Sequence, residues 1–125
     1  SKSASSLTIS PTVKKFYLFL IVNLKKASEY LTKNIDLMTF NIFDYKKMSE
    51  NQELSTMMLF LFERHHFFDA LNIKQETFIR FSKKVQDGYH SNAYHNASHG
   101  ADVLQVFLLF INLISSIIHR QLIII

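Results

Sequence analysis

Apolar and polar residues alternate along most of the chain with helical period. From Val13, apolar side chains recur at three- and four-residue intervals through Phe16, Tyr17, Leu20, Leu24, Ala27 and Leu31. That spacing predicts an amphipathic helix, and Phe19, Ile21 and Val22 widen its apolar face. Residues 1–12 are rich in Ser and Thr, lack periodic apolar positions, and read as a loose leader. The apolar run 16–22 is too short for an ordinary secretion signal and no small-residue cleavage site follows it.

Residues 34–48 lose the period. Polar Asn34, Asp36, Asn41 and Asp44 are interleaved with Ile35, Leu37, Met38, Phe40, Ile42 and Phe43. A strand would need a partner, and no second strand pattern exists, so irregular or short helical turns are expected. Ser49 with Gln52 three residues on has the form of a capping box, with Glu50 and Glu53 in the first turn. The helix it predicts carries Leu54, Met57, Met58, Leu61 and Phe62 on one face and runs to about His66. Asn72 opens the next, with Gln75 at its third position and Phe78, Phe81 and Val85 as its stripe. Asp87-Gly88 is expected to end it, with glycine left-handed after the last turn. After a polar loop, a final helix is expected to carry His95, His99 and Asp102 and continue into the apolar stretch from Val103. The fold class is all-α.

Composition narrows the reading. A chain of 125 residues suits one domain, and 48% hydrophobic content with 12 Phe is enough for a core. With 2 Gly, 1 Pro and no Cys, collagen, a disulfide framework and thiolate metal sites are excluded. The net charge of +4 is concentrated in residues 1–49. Lys14, Lys15, Lys25 and Lys26 share one side of the first helix, a solvated face or a surface for anionic membrane. Few Arg and no aromatic–basic interleaving argue against a nucleic-acid polymer as partner.

Candidate chemistry lies at Tyr94-His95-Asn96-Ala97-Ser98-His99-Gly100-Ala101-Asp102-Val103. On a continuous helix, His95 and His99 stand one turn apart and about 40° around the axis, with Asp102 nearly in line. Two imidazoles and a carboxylate on one face suit a divalent metal; an exposed, polar helix start accounts for the same pattern. The remaining histidines have simpler readings. His65 and His66 close a helix, His90 lies in a surface loop, and His119 is a solvated or capping residue in an apolar tail. Met57, Met58 and the Phe stripes are core residues.

Tyr94-His95-Asn96-x-x-His99-x-x-Asp102-Val103 resembles the first signature of the catalytic domain of class I 3′,5′-cyclic nucleotide phosphodiesterases. The flanks agree. Phe40-Asn41-Ile42-Phe43, Phe60-Leu61-Phe62-Glu63-Arg64, Phe78-Ile79-Arg80-Phe81 and Val85-Gln86-Asp87-Gly88-Tyr89 resemble family segments in the same order, and the resemblance covers roughly residues 35–110. It implies that residues 13–125 are the N-terminal portion of one helical catalytic domain. It further implies cytoplasmic, signal-transducing hydrolysis of cAMP or cGMP to the 5′-monophosphate by two divalent metals, zinc with magnesium or manganese. By the same resemblance His95 donates a proton to the departing 3′ oxygen and also contacts substrate. His99 is a metal ligand, Tyr94 lines the phosphate pocket, and Asn96 and Asp102 support the ligands or fix the helix.

The chain also departs from the family pattern. Ala93 stands where Pro is common and Gly100 where Ala is usual. The family's later His-Asp pair, further metal-binding Asp, purine-reading Gln and facing Phe have no counterpart, so residues 1–125 alone are expected to have little or no activity. Residues 103–118 are uncharged and fall short of the roughly 20 apolar residues of a spanning helix, with Arg120 beyond them. The resemblance implies that later helices bury this segment. Uncovered, it would expose a large apolar patch. The competing function is that of a non-catalytic helical protein that meets a membrane or partner through the basic N-terminal helix or the apolar C-terminal one.

Overall fold

The computed structural model describes residues 25–124, with side chains described to Leu122. The leader and the segment 13–24, with Lys14 and Lys15, lie outside the described residues. Every regular element described is helical, so the chain is all-α. In order these are α1 (25–34), α2 (Ile42–Met48), α3 (Glu53–Arg64), α4 (Phe67–Ala70), α5 (Gln75–Gly88) and α6 (Ala97–Ile124).

On α1, Ala27 and Leu31 turn inward with Ile35 just beyond, while Lys25 and Lys26 face solvent. That is the amphipathic face the spacing predicts. The irregular segment resolves into turns and the short helix α2. Asn41 caps it, its side-chain oxygen accepting from the N–H of Phe43 at 2.9 Å and of Asp44 at 3.3 Å. Tyr45 from α2 is fully buried beside Tyr30 and Phe40.

Three sequence-based boundaries need correction. Ser49 is not an N-cap: it closes α2, its N–H bonded to the Tyr45 carbonyl at 2.8 Å. Glu50 and Asn51 follow in left-handed conformation (φ 51° and 65°), and α3 starts only after Gln52. The missing local cap comes from α5, where Gln86 Oε1 accepts from the N–H of both Leu54 and Ser55 at 2.9 Å. Similarly, Asn72 is left-handed (φ 52°) and α5 begins after Lys74. Gly88 stays helical, and Tyr89 ends α5 in extended conformation. At the other end of α3 the chain leaves the helix at His65, and His66 turns left-handed (φ 57°) into α4.

Helix α3 is the centre of the molecule, packed by α2, α4, α5 and α6. One face, with Leu54, Met57 and Leu61, joins Leu31, Ile35, Tyr45, Ala101 and Leu108 in the main core. The opposite side gives Leu59 to a smaller core with Phe78 and Ile79, where the Phe62 and Phe78 rings stack with centroids 4.0 Å apart. Phe81, expected in that stripe, is exposed instead; Ser82 and Lys83 are turned inward.

Helix α6 docks by a narrow face of spacing 3 and 4: Ser98, Ala101, Gln105 and Leu108 are buried. Gln105 Nε2 donates to the carbonyls of Ile35 (2.8 Å) and Leu37 (3.1 Å), and Asn112 donates to Asp36 at 2.9 Å. Two of the polar residues that interrupt the apolar run, Gln105 and Asn112, are thus its tethers. From Val103 to Leu122 most of the large apolar side chains off this face are exposed, with Leu104 and Leu109 half-buried. The stretch 97–122 is long and apolar enough to cross a membrane, with 17% of its apolar window buried. Among the described residues nothing covers its outer face, as expected of this helix without the later helices that the resemblance implies.

Candidate active site

The histidine segment is shaped by Asn96. Its Nδ2 donates to the Asn92 carbonyl at 3.0 Å and its N–H to the Tyr94 carbonyl at 3.1 Å, which winds residues 92–96 into a tight turn. Its Oδ1 then accepts from the N–H of His99 at 2.9 Å. An N-cap asparagine satisfies an otherwise orphaned amide in this way. One side chain therefore fixes both the loop and the first turn of α6.

This capping corrects the sequence geometry. His95 precedes the cap and is not on the helix, so it and His99 are not neighbours along one helical face. The turn brings them together nonetheless. The two imidazole centroids are 5.9 Å apart, nearly perpendicular, and the Tyr94 ring lies 4.9 Å from His95 and 4.7 Å from His99. Tyr94 and His95 are exposed and His99 is half-buried. Asp102, half-buried, stands in the second turn of α6.

Below this cluster the helix is held from outside. Ser98 Oγ donates to Oε1 of Glu53, in the first turn of α3, at 2.8 Å. A polar cleft of about 500 Å³ separates the start of α3 from the 89–96 loop; Glu53, Asn92, Asn96 and Ser98 line it, and neither His95 nor His99 does. His65, His66, His90 and His119 are exposed and stand outside the cluster. Sequence reasoning missed Glu53 and Gln86, whose partners lie 45 and about 30 residues away.

A divalent metal needs several donors. Among the described residues no three His, Cys, Asp or Glu side chains converge. His95, His99 and Asp102 therefore do not form a metal site by themselves. The accessible imidazole of His99, on a turn fixed from two sides, suits one position in a coordination sphere whose other ligands come from elsewhere.

Known proteins of similar sequence are cyclic nucleotide phosphodiesterases by name. The chain is 30% identical over 109 residues to the 3′,5′-cyclic-AMP phosphodiesterase 4 of Dictyostelium discoideum, matching 86% of this chain and 10% of that protein. It is 33% identical over 88 residues to a probable 3′,5′-cyclic phosphodiesterase, pde-6, of Caenorhabditis elegans, covering 70% of this chain and 12% of that protein. To the dual specificity calcium/calmodulin-dependent 3′,5′-cyclic nucleotide phosphodiesterase 1B of Bos taurus it is 31% identical over 81 residues, covering 63% and 15%. No family model and no solved structure matches the chain. The chain is thus similar to cyclic nucleotide phosphodiesterases and spans 10–15% of the length of these relatives.

Proposed function

We propose that this chain is the N-terminal helical part of a cyclic nucleotide phosphodiesterase catalytic domain and contributes His95 and His99 to its active site. The observation that carries the reading is the meeting of the Tyr94, His95 and His99 rings at the capped start of α6, in a chain similar to phosphodiesterases from three organisms.

The reaction is hydrolysis of the 3′ ester. Water adds to phosphorus, the bond from phosphorus to the 3′ oxygen breaks, and the departing oxygen takes a proton. His95 supplies it; imidazole titrates near neutral pH, and the exposed ring is free to reach a substrate. Tyr94 walls the same surface. His99 offers one ligand to a divalent metal, a group that stabilises charge on phosphate oxygens and activates water. Asn96 holds both histidines in register and Asp102 supports the helix that bears His99.

The test is hydrolysis of cAMP and cGMP by the full-length protein, compared with His95→Ala and His99→Ala. Loss of at least a hundredfold in turnover in each variant supports the reading. A wild-type protein that releases no 5′-monophosphate with zinc, magnesium or manganese present contradicts it.

A second reading rests on the exposed apolar side chains of α6, with an apolar groove of about 400 Å³ between α6 and the α3–α4 corner. A membrane-binding helical protein would present such a surface, with Lys25 and Lys26 on another. Flotation with anionic vesicles that is lost when Lys14, Lys15, Lys25 and Lys26 become Ala favours this reading over the first.

A further inference from the structure

We propose that Glu53 is a positioning residue for the histidine site, acting through Ser98; this rests on the reading that His99 is a metal ligand. Glu53 is 2% exposed, and only one of its carboxylate oxygens is used. Oε1 accepts from Ser98 Oγ at 2.8 Å, while Oε2 is buried without a hydrogen-bond partner among the described residues. The nearby amides at the start of α3 cannot serve it, because Gln86 takes the N–H of both Leu54 and Ser55.

A half-satisfied buried carboxylate is a poor way to stabilise a protein. In general one hydrogen bond offsets only part of the cost of burying a carboxylate, and an apolar side chain of similar volume is often neutral or better. What Glu53 does secure is geometry. Ser98, itself 5% exposed, precedes His99 in the first turn of α6. Asn96 holds that turn by the His99 amide, and Glu53 holds it by the Ser98 hydroxyl. Two restraints on successive residues fix the backbone from which the His99 imidazole projects. Partners that orient a ligand in this way typically contribute ten- to a hundredfold in metal affinity or activity.

The test separates geometry from stability in the full-length protein. Glu53→Met is expected to melt at the same or a higher temperature than wild type, yet to need at least tenfold more manganese for half-maximal hydrolysis. Glu53→Gln, whose side-chain carbonyl still accepts from Ser98, stays within about threefold of wild type in that requirement. Ser98→Ala raises the metal requirement as Glu53→Met does and adds nothing to it in the double variant, but melts lower because it leaves the carboxylate unpaired. A Glu53→Met protein with unchanged metal requirement overturns the proposal, as does one whose loss merely follows a lower melting temperature. If wild type hydrolyses no cyclic nucleotide, the proposed function fails, and the positioning role is read directly from histidine-selective NMR of the metal-free protein. There the His99 ring signals must move in Glu53→Met and hold in Glu53→Gln. Signals that hold in both overturn it.

Discussion

The phenol of Tyr89 rests on the bare backbone of Gly100: a Cβ at position 100 would come within 2.9 Å of the Tyr89 hydroxyl and 3.2 Å of its Cζ. Glycine inside a helix gives up roughly 1 kcal/mol relative to alanine. Here that loss allows the residue ending α5 to close over the second turn of α6.

Gly100→Ala is therefore a balance of two effects. Alanine favours the helix, but the Tyr89 ring must move. Tyr89 is 42% exposed and its hydroxyl is the far end of the side chain, so the ring has room to yield. The expected result is a change between neutral and about +1 kcal/mol of stability. In a Tyr89→Ala background the gain is larger, because nothing need be displaced. A double-mutant cycle by denaturant unfolding checks this, and a coupling energy of zero contradicts it.

Asn96→Ala removes the cap of α6 and the clasp on Asn92 together. The expected loss is about 1–2 kcal/mol. Asn96→Asp keeps an acceptor for the His99 amide but cannot donate to the Asn92 carbonyl, so it should recover part of the loss. Thermal melts of both variants measure this; an Asp variant as weak as Ala would mean that the cap contributes little.

Tyr45 should make the fold sensitive to alkali. Burial, reinforced by the negative charge of Glu53, pushes its phenol well above the ordinary tyrosine value. Its hydroxyl lies 2.6 Å from Thr56 Oγ1, whose own proton goes to the Gln52 carbonyl, so Tyr45 is the donor. A group whose folded-state pKa is raised contributes stability that is complete below its unfolded value, about 10 for tyrosine, and is lost as pH rises toward the folded value. Absorbance titration of wild type minus Tyr45→Phe should show no Tyr45 phenolate above pH 10 until the chain unfolds. Smooth ionisation near pH 10 without unfolding contradicts the buried placement.

Sequence periodicity was enough to find α1, α3, α5 and α6, because each buries a face at helical spacing against the same centre. The histidine signature was legible because its residues are contiguous. Helix starts were harder. Ser49 and Gln52 have the spacing of a capping box, yet the cap of α3 comes from Gln86, on another helix. No local rule reads a partner about 30 residues away. The sequence pattern puts His95 with His99 and Asp102 on α6, but Asn96 caps the helix and His95 precedes it. The Glu53–Ser98 link depends on how α3 and α6 pack, which the sequence pattern does not encode.

The central claim is that His95 and His99 work together on a cyclic phosphodiester. The most direct measurement is metal-dependent release of 5′-monophosphate from cAMP and cGMP by the full-length protein, beside His95→Ala, His99→Ala and the double variant. The account predicts that each single substitution removes at least 99% of turnover. It also predicts that the double variant is little worse than the more damaging single one, as for residues that act as a unit. Wild-type turnover that survives either substitution would contradict it.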